Sequence, residues 1–250
     1  PVTPTPEPTK KPEPTATPKP TETPKPTETP APTPTATPTP EPTPSVEQMT
    51  QELFDLTNQE RVKAGLNALQ YHAGLTKAAQ VRAKEITISF SHTRPDGTSS
   101  ITALYENGVA GGMENIGCGG SSVTTIIKGL MNSDGHRWTM LDVNAKYLGV
   151  AVCKKENGGW FYVQEFSENP DAKCTLTVDA NGGTFPTLNN VSTCNMSFPY
   201  GMIVTFAKDI PTPVRDGYTF AGWLDEYGEE LPGMGLSEPT TISAIWKQNE

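Results

Sequence analysis

The sequence predicts an α/β protein: a Pro/Thr-rich segment without a core, then an α-β-α sandwich, then a small β-rich module. Three observations carry this. Of the first 44 residues, 17 are proline and 14 are threonine, so 31 positions are one or the other. Residues 45–169 open with apolar side chains at helical spacing and close with two alternating strands. After Pro170 the chain turns to short strands punctuated by glycine turns, and this third segment spans 172–248.

Residues 1–44 contain no aromatic residue, and Val2 is their only β-branched or long aliphatic residue apart from threonine. Such a segment cannot bury enough apolar surface to offset its ordering entropy, which predicts a disordered stalk. Its Thr-Pro repeat suits a polyproline II spacer with an extended reach of about 130 Å. It reads equally as an inert linker. The remaining residues suffice for one or two domains. No stretch approaches the roughly 18 apolar residues of a spanning helix. The net charge is −9 and no segment is basic, so nucleic acid and anionic lipid surfaces are disfavoured as partners.

In the second segment, Ser45 precedes Val46-Glu47-Gln48 as a helix start, with Ser45 and Gln48 placed for a capping box. Met49, Leu53 and Leu56 then recur at helical spacing until Gly65. A second helix is expected from about Leu75 to Phe90, with Leu75, Ala79, Ala83, Ile86 and Phe90 on one face. A third, weaker one covers Val123–Asn132. Tyr147–Cys153 and Trp160–Phe166 alternate as strands about an Asn157-Gly158 turn. Helices followed by a terminal hairpin suggest layers around a small antiparallel sheet.

The four cysteines, Cys118, Cys153, Cys174 and Cys194, form no C-x-x-C pair and have no histidine at zinc-finger spacing. Their even number, after a stalk of secreted type, favours disulfides over metal, with free buried thiols as the alternative. If the Glu114 and Tyr147 strands are neighbours, the pairing is Cys118–Cys153. Cys174–Cys194 would then clamp the last module.

Five motifs follow one another: LTNQERVKAGLNAL (56–69), FSHTRPDGTS (90–99), ENIGCG (114–119), MNSDGHRWTML (131–141) and YLGVAV…FYVQEF (147–166). In content and order they resemble the CAP superfamily of cysteine-rich secretory, antigen 5 and pathogenesis-related proteins, and its short bacterial branch most of all. The resemblance covers about residues 46–167. It implies an extracellular or cell-surface protein in which His92, Glu114 and His136 converge on one cleft. In animal members two His and two Glu line that cleft and can hold a divalent ion. Here the second Glu falls at Ser133 and the family's Trp at Leu130. Two imidazoles and a carboxylate still make a reasonable zinc or copper set. The alternative is that they hydrogen-bond one another and pin loops.

A hydrolase reading takes Ser133 or Ser91 as nucleophile with a nearby histidine and Glu114 as orienting acid. Neither serine stands in a Gly-x-Ser-x-Gly elbow. The favoured reading is a binding cleft for a metal, lipid or short peptide. His72 matches no motif and reads as an ordinary surface histidine.

In the third segment, DANGGT (179–184) and RDGYTFAGW (215–223) resemble the internalin-type B repeat of bacterial surface proteins. That implies a small grasp-like module acting as a spacer or as an adhesive platform toward a cell wall or host surface. Tyr218, Phe220 and Trp223 then form either its core, the favoured reading, or a ligand-stacking patch.

Overall fold

The computed structural model describes Pro12, Pro14, residues 44–156 and residues 158–250. The rest of the expected stalk over 1–44, and Asn157 of the expected turn, lie outside the described residues.

Helix α1 (Val46–Lys63) starts where the capping box places it. The Ser45 amide donates to Gln48 Oε1 at 2.8 Å, and the Gln48 amide donates to Ser45 Oγ at 3.1 Å. It stops at Gly65, whose φ of +78° suits glycine. Met49, Leu53, Thr57 and Arg61 form its buried stripe. Arg61 is 2% exposed and donates to the carbonyls of Asn67, Met140, Asp142 and Ala145, tying the 140–146 loop to the helix.

A two-residue strand β1 (Gln70–Tyr71) leads into α2 (Ala73–Glu85). His72 is no ordinary surface residue: it is the N-cap of α2. Its Nδ1 accepts from the Leu75 amide at 3.2 Å, and its Nε2 lies 3.3 Å from Asp171. Helix α2 is shorter than expected. Thr87 Oγ1 donates to the Lys84 carbonyl, a local bond that competes with continuing the helix. Ile88 and Phe90 beyond it are exposed.

Four further elements follow: α3 (Ile101–Glu106), β2 (Met113–Gly119), α4 (Val123–Asn132) and α5 (Asp134–Met140). The hairpin β3 (Tyr147–Lys154) and β4 (Trp160–Ser167) completes the layer. The sheet order is β1-β3-β4-β2, antiparallel except for β1 beside β3. On one face, Ala79 and Ala83 of α2, with Ile86 just past its end, pack on Ile116, Ala151 and Val163. On the other, Met49, Leu53, Ile127 and Leu130 of α1 and α4 pack on Leu148, Val150, Tyr162 and Phe166. These layers are the expected sandwich. Gly149 allows α2 to lie directly on β3, since a Cβ there would stand 2.2 Å from the backbone of Leu75 and Thr76.

Beyond Pro170 a second sheet has the order β6-β5-β10-β8, from β5 (Lys173–Asp179), β6 (Thr193–Pro199), β8 (Tyr218–Leu224) and β10 (Thr240–Gln248). A two-stranded ribbon joins β7 (Ile203–Thr205) to β9 (Gly233–Gly235), and the short α6 (Phe206–Asp209) follows β7. Trp223, 4% exposed, sits among the rings of Phe185, Phe206 and Phe220. It is core, as favoured. Tyr218 is half-buried under the Arg215 guanidinium, 4.0 Å above its ring.

The expected disulfides do not form: all four cysteines are free. Cys118 and Cys153 are both cross-strand partners of Phe161, on opposite sides of β4. Two strand spacings, about 9.5 Å, separate them, beyond the reach of a bridge. Cys194 pairs with Val178, four residues along β5 from Cys174, or about 13 Å.

Candidate functional site

The turn after α2 delivers His92. It is braced by the Thr93–Ser99 bridge, by the Arg94 amide donating to the Thr98 carbonyl, and by Asp96 Oδ1 accepting from the Thr98 amide and hydroxyl. Strand β2 presents Glu114 to α2. His92 Nδ1 and Glu114 Oε1 are 2.7 Å apart; the carboxylate is 5% exposed and the imidazole 56%.

Behind Glu114 stands Arg82, fully buried on α2. Its Nε donates to Glu114 Oε2 at 2.7 Å and its Nη2 to Glu114 Oε1 at 3.3 Å. Nη2 also reaches the Ser91 carbonyl at 2.6 Å, and Nη1 reaches Glu85 Oε2 at 2.7 Å. Glu85 is shared with Arg94, which also pairs with Glu106. Burial works against the Glu85 charge, but bonds from Arg94 and Arg82 hold its carboxyl below the ordinary value. The network thus fixes the position of His92 by charge-assisted bonds from the helix to the loop.

His136 and Ser133 come from the corner between α4 and α5. Ser133 ends one helix and begins the other with extended backbone, φ −95° and ψ 123°. Its Oγ lies 2.8 Å from His136 Nδ1. The corner is anchored from below: Asn115 Nδ2 donates to the His136 carbonyl and to Gln164 Oε1, and Gln164 Nε2 donates to Thr57 Oγ1. Burial, then the nearby His92 charge, pushes His136 below the ordinary histidine value, which favours its neutral form.

Of the four cleft residues expected from sequence, Ser133 and His136 line a groove, and His92 and Glu114 form the ion network beside it. The groove has a volume of about 540 Å³ and runs between the Gly117–Ser122 segment and α4. Ile126 and Leu130 supply its apolar wall; Ser122, Thr125, Ser133 and His136 supply polar groups. The expected metal set and the expected triad both draw on these residues. Among the described residues no three His, Cys, Asp or Glu side chains are grouped to hold a metal ion. Both Glu114 oxygens already bind Arg82 and His92, and His136 Nδ1 is turned to Ser133. The triad of the hydrolase reading is also split. Ser133 pairs with His136, whereas the acid Glu114 pairs with His92. Ser91 Oγ accepts from the Thr93 amide.

Sequence reasoning missed Arg82, Glu85, Arg94 and Glu165. Two signals were there to read. Arg82 lies three residues from Ala79 on the apolar face assigned to α2, and Glu165 lies two residues from Val163 in a strand of buried residues. A charge on a core stripe requires a partner.

Residues 54–166, which take in most of the sandwich described above, match the model of CAP, the cysteine-rich secretory protein family. YkwD of Bacillus subtilis (strain 168) is 31% identical over 127 residues, 48% of this chain and 48% of that protein. The chain thus spans about half the length of this curated relative. Among solved structures, an extracellular protein containing a SCP domain from Bacillus anthracis str. Ames is similar at 29% identity and a TM-score of 0.44, over 48% of this chain and 42% of that one. An outer surface protein from Borrelia burgdorferi is similar at 19% identity and a TM-score of 0.46, over 50% of this chain and 96% of that one. Among the described residues no helix is long and apolar enough to cross a membrane.

Proposed function

We propose that this is an extracellular or surface-displayed bacterial protein whose CAP domain binds a small ligand in the groove between β2 and α4. The ligand has an apolar body, an acyl chain or an apolar peptide side chain, and a polar end that meets Ser133 and His136. The observation that carries this reading is the groove itself. It joins Ile126 and Leu130 to a wall of glycine backbone at 117, 119 and 120, and ends on a neutral-leaning histidine paired with a hydroxyl. A concave, largely apolar site with a few convergent polar groups is the usual form of a small-molecule site. The Pro/Thr-rich segment acts as spacer, and the β-rich unit of residues 172–248, an internalin-type B repeat, as platform toward a cell wall or host surface.

Gly129 offers a clean test. Gly129 of α4 lines the groove, and a Cβ there would meet nothing within 4 Å. Gly129→Leu should therefore abolish binding of a dansylated undecanoic acid probe while raising the unfolding temperature, because glycine weakens a helix interior. Unchanged probe binding in this variant contradicts the reading. The 2.8 Å Ser133–His136 pair also favours a second reading, a serine hydrolase without an orienting acid on its histidine. Ester turnover by the parent that disappears in Ser133→Ala would select it.

A further inference from the structure

Strand β2 is an edge of its sheet: the order β1-β3-β4-β2 leaves its outer side without a strand. It is paired with β4 from Met113 to Gly119, and among the described residues Gly117 to Ser121 make no other backbone–backbone hydrogen bond. In such a pairing every second residue turns its N–H and C=O away from the partner strand. Cys118, Gly119 and Gly120 are exposed. Sheet edges are usually blunted by lysine, proline or a bulge. The run Gly117-Cys118-Gly119-Gly120 has no lysine or proline, and its register with β4 is unbroken.

Both faces of this edge are apolar. Toward α4, Ile126 stands over the strand, so close that a Cβ at Gly117 or Gly119 would lie 3.2 Å from it, and Leu130 continues the wall. The groove therefore runs along the edge, with the consecutive residues Gly117 to Ser122 on one side and α4 on the other. Toward α2, Cys118 stands across from Phe161, which packs on the α2 layer. Phe90 lies beside Phe161, ring centroids 6.4 Å apart, and is 49% exposed. An acyl chain in the groove would touch the α4 face alone. A strand added beside β2 sends alternate side chains to opposite faces and meets both. No Asp, Glu, Lys or Arg lines the groove, so the segment that fits it is uncharged.

We propose that the groove's ligand is an extended, uncharged peptide segment of another protein, which joins the sheet as a further strand beside Gly117–Gly120. This ligand rests on the groove reading above, and replaces its acyl chain or lone side chain by a strand. One set of alternate side chains enters beside Ile126 and Leu130, with a hydroxyl toward Ser133 and His136. The other set lies over Cys118, beside the Phe161–Phe90 pair. Main-chain hydrogen bonds supply the affinity, and the alternate side chains supply the selection.

The probe is acetyl-Lys-Val-Ile-Val-Ser-Val-Lys-amide, in which Ile and Ser share one face and the valines the other. Its control has every backbone nitrogen methylated, with the same side chains and charge. The unmethylated peptide should bind the full chain and displace dansylated undecanoic acid. The outward amides of Gly117–Gly120 should then exchange with deuterium at least about tenfold more slowly than they do with lauric acid bound. Losing the main-chain bonds should weaken binding of the methylated control by at least about tenfold. If the acid binds and the peptide does not, if the control binds as well as the peptide, or if the amides stay unprotected, the added strand is wrong and the groove reading stands. If neither acid nor peptide binds, both fall. Exchange slowed by concentrating the protein alone would give the edge to a second copy and overturn the peptide.

Discussion

Replacing Arg82 by Met tests the ion network that carries His92. Methionine fills similar space on α2 without a charge, so packing changes little while Glu114, 5% exposed, loses its guanidinium. Four charge-assisted contacts disappear: two to Glu114, one to Glu85 and one to the Ser91 carbonyl. Glu85 keeps Arg94, so the stranded charge is that of Glu114. Breaking a buried pair from one side costs about 3–5 kcal/mol. In a domain of this size that lowers the unfolding temperature by roughly 6–20 °C. Protonating the stranded carboxylate relieves the cost, so the loss should be larger at pH 7.5 than at pH 5. Urea unfolding of parent and variant at both values measures it. A loss under about 1 kcal/mol, or one that grows on acidification, refutes the assignment of Arg82 as the buried counter-charge.

Gly149→Ala drives a methyl group into the α2 backbone and should cost at least about 1–3 kcal/mol, visible as a lowered thermal midpoint. His72→Ala removes the side-chain cap of α2 and should cost about 1 kcal/mol, where a surface histidine would cost nothing. A thiol reagent should count four free cysteines after unfolding; in the native protein it should react first with exposed Cys118 and last with buried Cys174. A count of two or none contradicts the strand registers.

Much of the fold was legible because local chemistry and pattern agreed. The Ser45–Gln48 box, the Met49–Leu53 stripe, the bounds of α4 and the β3–β4 hairpin all follow from side chains acting on their own neighbourhood. The cysteine pairing failed because strand order is not a local property. β4, the last strand of its sheet in sequence, inserts between β2 and β3 and holds Cys118 and Cys153 apart. The site was half legible. His92, Glu114 and His136 emerged through motif resemblance, but their partners did not. Arg82 acquires its role only when α2 is brought against Glu114, and His72 was misread because a capping histidine carries no motif.

Whether the groove between β2 and α4 is the ligand site is tested most directly by a backbone NMR titration with lauric acid. Shifts should concentrate in Gly117–Ser122 and from Ile126 to His136, with residues 173–248 unchanged, and the response should be lost in Gly129→Leu. Shifts confined to residues 173–248, or a full response in Gly129→Leu, would contradict a ligand site in this groove.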